Sequence, residues 1–331
     1  MIAGDRLAAW LGDKESQARS QAAVRSFVEH WSGAPLMGQL ENELRAMNTR
    51  TPDLVIAAAR RFLDRIEDIE GLTAALIERS RADPFFIPPV TPVTSELHAG
   101  LLLFHHHDVS IAFGVSGVDM LAGKKAGPRR GGSIVFTGLR NLFRYVKAGN
   151  AVLSFWEVPP VGPSFSAATA PKCRPVGRRR ISDGEEILID GSRESFIVDH
   201  ADSDLLYFQV VVRTACAPLT VEYDSLTRSF VGATGTDEAG SRVQMMSTLL
   251  REMDRDDAVP VLRELLAGSD FYVRWHVMRE MLALDAEAVL PDLREMALSD
   301  PHPEVRAAAR QTLELFFADE TEIKEAKACH A

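Results

Sequence analysis

Cysteine is scarce in this chain. Its three residues, Cys173, Cys216 and Cys329, are odd in number, scattered and without CxxC spacing. That excludes a disulfide framework and a cysteine-built zinc site, and points to reduced thiols in a cytoplasmic protein. Long apolar runs are missing too: none approaches the roughly 20 residues that cross a bilayer, so no membrane partner is expected. The first residues, MIAGDRLAAWLGDKESQ, lack the basic head and apolar stretch of a secretory signal. Also absent are GxSxG, a phosphate-binding P-loop, HExxH and the dinucleotide-binding glycine fingerprint. Gly114-Val-Ser-Gly117 lacks the glycine spacing of a nucleophile elbow. Acids are abundant but fall at helical-surface spacing, and no pair stands out for acid–base catalysis.

What is present divides into three textures. At 331 residues, 46% hydrophobic and 25% charged, the chain is long enough for two or three ordinary domains. Residues 1–83 read as helical, with apolar spacing in Ala22, Ala23, Phe27 and Trp31 and again in Leu54, Ala58, Phe62 and Ile66. Thr51-Pro52-Asp53 makes a good helix start: a hydroxyl cap, proline at the first helical position, then an acid near the positive dipole end. From 97 to 235 short strand-like runs are expected at 109–115, 133–137, 151–156, 186–189, 195–198, 205–213 and 219–223, divided by Gly, Pro and Asp. Such a series suggests an antiparallel sandwich or barrel. Residues 158–180, with five prolines and three consecutive arginines, read as a long mobile loop. Helical texture returns at 241–317, and 318–331 reads as a tail.

Charge is unevenly placed. The chain carries a net −10, yet residues 121–180 hold twelve lysines and arginines against Glu157 alone, a local +11. Two stretches concentrate it, around Arg129 and Arg130 and at Arg178, Arg179 and Arg180. Guanidinium forks bind carboxylate or phosphate bidentately. An acidic protein or peptide is the partner this asymmetry suggests. Aromatics at Phe143, Tyr145, Phe155 and Trp156 offer stacking surfaces, but no nucleic-acid-binding motif is present, so nucleic acid is not expected. The alternative is internal compensation, since residues 243–320 carry 16 acids against 8 arginines and could face these loops.

An arginine recurs at Arg242, Arg274 and Arg306, 32 residues apart each time. Met246 keeps the same step with Met278, and Leu249 with Met281 and Leu313. Helix pairs are expected at 257–267 with 272–284 and at 287–298 with 304–317, while 241–253 aligns with the second helix of each pair. Val273-Arg274, Val305-Arg306 and above all Asp300-Pro-His-Pro-Glu-Val-Arg306 resemble HEAT-like repeats of the short variety. The resemblance covers 241–317 and implies stacked helices that present a surface to peptides, proteins or nucleic acid. Two and a half repeats fall short of the three an independent stack needs. The stack is therefore expected to brace the β domain. Its arginines are expected to be structural, with stems on apolar surface and heads on an acid of the neighbouring repeat.

Leu103-Phe-His-His-His-Asp108 is the one dense cluster of metal-ligand types. If it enters a strand with 109–115, His105 and His107 share the apolar side with Val109, Ile111 and Phe113, and His200 shares parity with Phe196 and Val198. The middle region is then similar to the cupins, β-barrels that often hold one metal through a His-x-His pair and a distant histidine. His105, His107 and His200 match that set. The glutamate cupins place four or five positions after the pair is replaced by Ile111 and Ala112, and the glycine-proline pattern near the later histidine is absent. A turn with solvated imidazoles is the simpler alternative for the triplet.

The expected fold is α+β and multidomain: a helical N-terminal region, a central antiparallel cupin-like β-sandwich or jelly roll, and C-terminal HEAT-like repeats. The function expected first is non-catalytic recognition of an acidic partner through the basic loops, with no cofactor. The alternative is a mononuclear metal enzyme, such as an oxygenase, holding iron, manganese, nickel or zinc at the histidines. Self-association through the β domain is the other partner considered.

Overall fold

The structure is a computed structural model that describes residues 4–88, 90–95, 98–119, 132–162 and 164–317. The first region folds as α1 (Gly4–Gly12), α2 (Lys14–Ser32), α3 (Pro35–Ala46), α4 (Pro52–Leu63) and α5 (Ile66–Ala82). Thr51 caps α4 as its sequence implies: its hydroxyl accepts from the Leu54 amide, with Pro52 at the helix start.

The strands are β1 (Pro92–Thr94), β2 (Ala99–His105), β3 (Val109–Ser116), β4 (Ser133–Phe136), β5 (Arg140–Lys147) and β6 (Val152–Glu157). They continue as β7 (Arg174–Arg180), β8 (Glu186–Asp190), β9 (Glu194–His200), β10 (Leu205–Val212), β11 (Leu219–Asp224) and β12 (Phe230–Gly235). One antiparallel sheet has the order β1-β2-β3-β10-β5-β8. The second is built from β12-β11-β4 and β7-β6-β9, with β4 beside β9 where the Ser195 hydroxyl donates to the Val135 carbonyl at 2.7 Å. Consecutive strands from β3 to β10 thus alternate between layers except at the β6–β7 pair, giving 3-10-5-8 facing 4-9-6-7. That nested order is a jelly roll.

Side-chain alternation decides what each sheet buries. On the first sheet Phe104, Val109, Ile111, Leu142, Phe208, Val210 and Val212 point outward, into a core shared with Leu40, Leu44, Val55, Ile56, Ala59 and Phe62 of α3 and α4. The opposite face of that sheet meets the second sheet through Phe143, Tyr145, Tyr207, Phe155 and Phe196, rings 5.1–6.5 Å apart.

The second sheet also buries its outer face. Ile134, Phe136, Val221 and Tyr223 pack with Phe165 and with Phe271 and Tyr272. The last two belong to the repeat region, whose helices are α6 (Glu238–Glu252), α7 (Val259–Leu265), α8 (Phe271–Leu284), α9 (Ala286–Ser299) and α10 (Pro303–Phe316). Their common core is Val259, Leu262, Val277, Met278, Met281, Leu293 and Ala309. At the seam, His302 Nε2 donates to the Phe165 carbonyl at 2.9 Å while its ring stacks on Phe271 at 3.9 Å. Ser166 donates to Glu304 at 2.5 Å. The repeats therefore brace the β domain, as their small number implies.

Two expectations are corrected here. Residues 174–180 are not part of a mobile loop but form β7, with Arg178, Arg179 and Arg180 opposite Ser154, Leu153 and Val152 of β6. Nor do the histidines enter β3 as one strand. His106 and Val109 exchange backbone hydrogen bonds at 2.9 and 3.2 Å, closing a tight hairpin between β2 and β3.

Candidate functional site

The hairpin changes which histidines can meet. Alternation holds only within an unbroken strand, and the turn resets it. His105 pairs with Ser110, so it lies on the face opposite Val109 and Ile111. The apolar face, moreover, looks outward to α3 and α4, not into the sandwich. His200 ends β9 in the other sheet, exposed, with Nε2 2.8 Å from Asp202. Its β6 partner is Val152.

Among the described residues, the grouping with metal-ligand spacing is His106, His107 and Asp108, whose ligand atoms lie within 4.8 Å of one another. Its centre is taken by a cation already in the chain. Arg50, from the loop between α3 and α4, places Nη1 3.0 Å from Asp108 Oδ2 and 2.9 Å from His107 Nε2. The same arginine donates Nε to the Leu44 carbonyl at 3.2 Å. Asp108 is buried, and its backbone carbonyl accepts from the Arg213 amide at 2.8 Å. Arg213 Nη2 donates to Ser110 at 3.0 Å. Burial, followed by the neighbouring His107, pushes the His106 imidazole below its ordinary range, against the pull of Asp108. His106 Nδ1 accepts from the Asp108 amide at 3.2 Å. A donor set already neutralised by a guanidinium does not fit a divalent ion. Sequence pattern could not show Arg50, 57 residues from His107.

The basic residues are on the surface. All of β7 is exposed, and it is an edge strand, paired with β6 alone among the described residues. Arg178 pairs with Asp199 at 2.8 Å, Arg179 with Glu185, and Arg180 donates to Asn150 at 2.6 Å. The Arg179 guanidinium also lies 5.2 Å from the centre of the Phe155 ring. Arg129 and Arg130 lie outside the described residues. The acids that oppose this segment come from the two ends of α4 and from the β domain itself. Arg144 binds Asp64 and Glu186, Arg140 binds Asp53 and Asp190, and Lys147 binds Asp183. The described ion pairs of this segment use no acid from 243–320; Lys124, Lys125, Arg129 and Arg130 lie outside the described residues.

The repeat arginines behave as pins. Arg274 binds Asp300 through two parallel hydrogen bonds of 2.7 and 2.8 Å, and Arg306 donates to the Asp300 backbone carbonyl at 2.5 Å. Arg242, at the open end of the stack, reaches only Glu238 of its own helix.

Comparison with known proteins agrees with this division. Residues 241–314 match the HEAT repeats family. No curated protein matches the sequence. Among solved structures, a cupin domain from Bordetella pertussis Tohama I is 9% identical, covering 38% of this chain and 96% of its own, at a TM-score of 0.22. Ectoine synthase from P. lautus is 10% identical, covering 37% of this chain and 67% of its own, at 0.22. The polyketide cyclase RemF from Streptomyces resistomycificus is 11% identical, covering 42% and 80%, at 0.24. At those TM-scores the likenesses add nothing to what the strand order already establishes, and their activities do not transfer. HEAT repeats are suited to protein interaction, and no helix among the described residues is long and apolar enough to cross a membrane.

Proposed function

We propose that the chain is a non-catalytic recognition protein that binds an acidic, extended segment of a protein or peptide along β7. The observation that carries the reading is an exposed edge strand bearing three consecutive arginines. An edge strand offers unpaired backbone donors and acceptors to an added strand. Alternation puts Arg178 and Arg180 on one side of that strand and Arg179 on the other, so acids on both faces of an incoming segment would find a cation. Asp199 and Glu185 are the groups such acids would replace. Exposed pairs of this kind are each worth roughly 0–1 kcal/mol, so the exchange costs little. Arg129 and Arg130 belong to the same proposal as a second basic contact. The seam at Phe165, His302 and Glu304 supports the reading by fixing the β domain against the repeats.

Fluorescence anisotropy with a labelled oligoglutamate peptide tests it. Binding should weaken steeply between low and high salt and be lost when Arg178, Arg179 and Arg180 are all changed to Glu. Affinity indifferent to salt, or unchanged in the triple variant, rejects the reading.

A further inference from the structure

The two ends of the helical stack are finished differently. A terminal repeat ordinarily shows solvent a polar outer face, because nothing stacks beyond it. The C-terminal end obeys this: α10 exposes Ala307, Arg310, Gln311 and Glu314, with Leu315 and Phe316 exposed only in its last turn. The N-terminal end does not. There α6 exposes Met245, Met246 and Leu249, continued by Met253 at its C-cap.

The internal repeat tells what such a face is for. Stepping 32 residues along the chain carries Met245, Met246 and Leu249 onto Val277, Met278 and Met281 of α8. In α8 those three are 0% exposed, sealed into the repeat core; in α6 their counterparts are 72%, 57% and 49% exposed. Two of the three positions also stay covered in α10, where α9 precedes the helix: Ala309 is fully buried and Leu313 half-buried. The far side of α6 makes the ordinary contacts, with Thr248 and Arg251 bonded to Glu280 of α8 at 3.0 and 2.5 Å. Val261 on α7 is exposed as well, on the side of that helix opposite Arg263, which binds Asp292 of α9 at 2.9 Å.

We propose that the Met245, Met246, Leu249 and Met253 face of α6 is a docking site for an amphipathic helix of a partner protein, seated as a preceding repeat helix would be. The chemistry wanted is an apolar stripe at helical spacing, of the kind α9 presents through Val289, Leu290, Leu293 and Met296. Methionines suit such a seat because their flexible thioethers adapt to differing partners. Neither of the two longer segments outside the described residues has the composition that fits. Residues 318–331 carry Ile323 as their one large aliphatic side chain, and 120–131 are broken by Gly123, Gly127, Pro128 and Gly131. A second copy stacked head to tail would set the methionines on the polar side of α10. Face-to-face pairing of two such helices would also fall short of the roughly 800 Å² per partner that stable dimers bury.

The test uses the full chain and a labelled peptide copying residues 285–300, which contains α9. Anisotropy should show saturable binding that weakens at least ~10-fold in Met246→Glu and in Leu249→Glu. Val231→Glu, an exposed apolar residue on β12, should bind as the parent does. Unchanged melting temperatures in all three keep a folding defect from imitating the loss. Absence of saturable peptide binding by the parent chain overturns the proposal, and so does equal affinity in Met246→Glu. A parent that sediments as a dimer and becomes monomeric in Met246→Glu also overturns it, because a second copy would then be the occupant.

Discussion

Arg274 and Asp300 form a fork-to-fork ion pair across consecutive repeats, Nε to Oδ2 at 2.8 Å and Nη2 to Oδ1 at 2.7 Å, with both side chains largely removed from water. Asp300 also accepts the His302 amide at 2.8 Å. One acid thus ties the end of α9, the start of α10 and the preceding second helix together. Removing one partner of a buried pair leaves the other charge stranded, at a cost of about 3–5 kcal/mol. Asp300→Ala should lower stability by that order in urea denaturation. Arg242→Ala, which removes only an exposed pair within α6, should leave the midpoint unchanged.

Acid should weaken the protein in two stages. His106 has a folded value below the ordinary 6.5, chiefly through burial. The unfolded chain therefore takes up a proton first, and this contribution, complete above 6.5, declines as pH falls toward the folded value. Burial would raise the Asp300 carboxyl, but the Arg274 hydrogen bonds and the His302 amide outweigh it and hold the group below 3.8. Its contribution is present above 3.8 and is lost as pH falls through the lowered value. Urea midpoints measured from pH 7 downward should show both declines. His106→Asn keeps an acceptor for the Asp108 amide and should remove the first decline alone.

A methyl group at Gly235 should be poorly tolerated. A Cβ there would lie 2.8 Å from the Tyr272 ring, at the seam between β12 and α8. Overpacking of this kind costs about 1–3 kcal/mol. Thermal melting of Gly235→Ala should show a matching loss; an unchanged melting temperature would mean the seam is looser than its contacts imply.

Tyr272 offers the opposite case. Its hydroxyl is buried without a hydrogen-bond partner among the described residues, and burial, aided by Asp270 and Asp237, pushes it up to about 12. Losing an unsatisfied buried hydroxyl removes a desolvation penalty and no bond. Tyr272→Phe should be neutral or stabilising by up to ~1 kcal/mol, read from the urea midpoint. A clear loss of stability would point to a bridging water at the seam.

Helical elements were the most legible part of the sequence. Thr51, the 32-residue register and the Asp300-to-Arg306 run each express a local rule of capping or stacking, and local rules survive folding. Strands with apolar alternation were also readable, whereas β7 was not. Its proline and arginines carry no alternation because neither of its faces is buried. The histidine site was misread for a different reason. Parity counts across 105–109 assumed one strand, and a single tight turn at His106 inverted the result. Arg50, which completes that cluster from another region, belongs to tertiary structure and leaves no trace in local pattern.

The jelly roll is greasy on both outer walls, one held by Val55, Ile56 and Phe62, the other by Phe271 and Tyr272. Composition alone invites cuts near 96 and 236, as though three beads sat on a string. A fragment released by those cuts would carry Val109, Ile111, Phe208 and Val210 bare on one side and Ile134, Phe136 and Val221 on the other. The middle of this protein is therefore not a transplantable module. Any rearrangement that reuses it must carry a replacement for each flank, so its boundaries in sequence are not its boundaries as a folding unit.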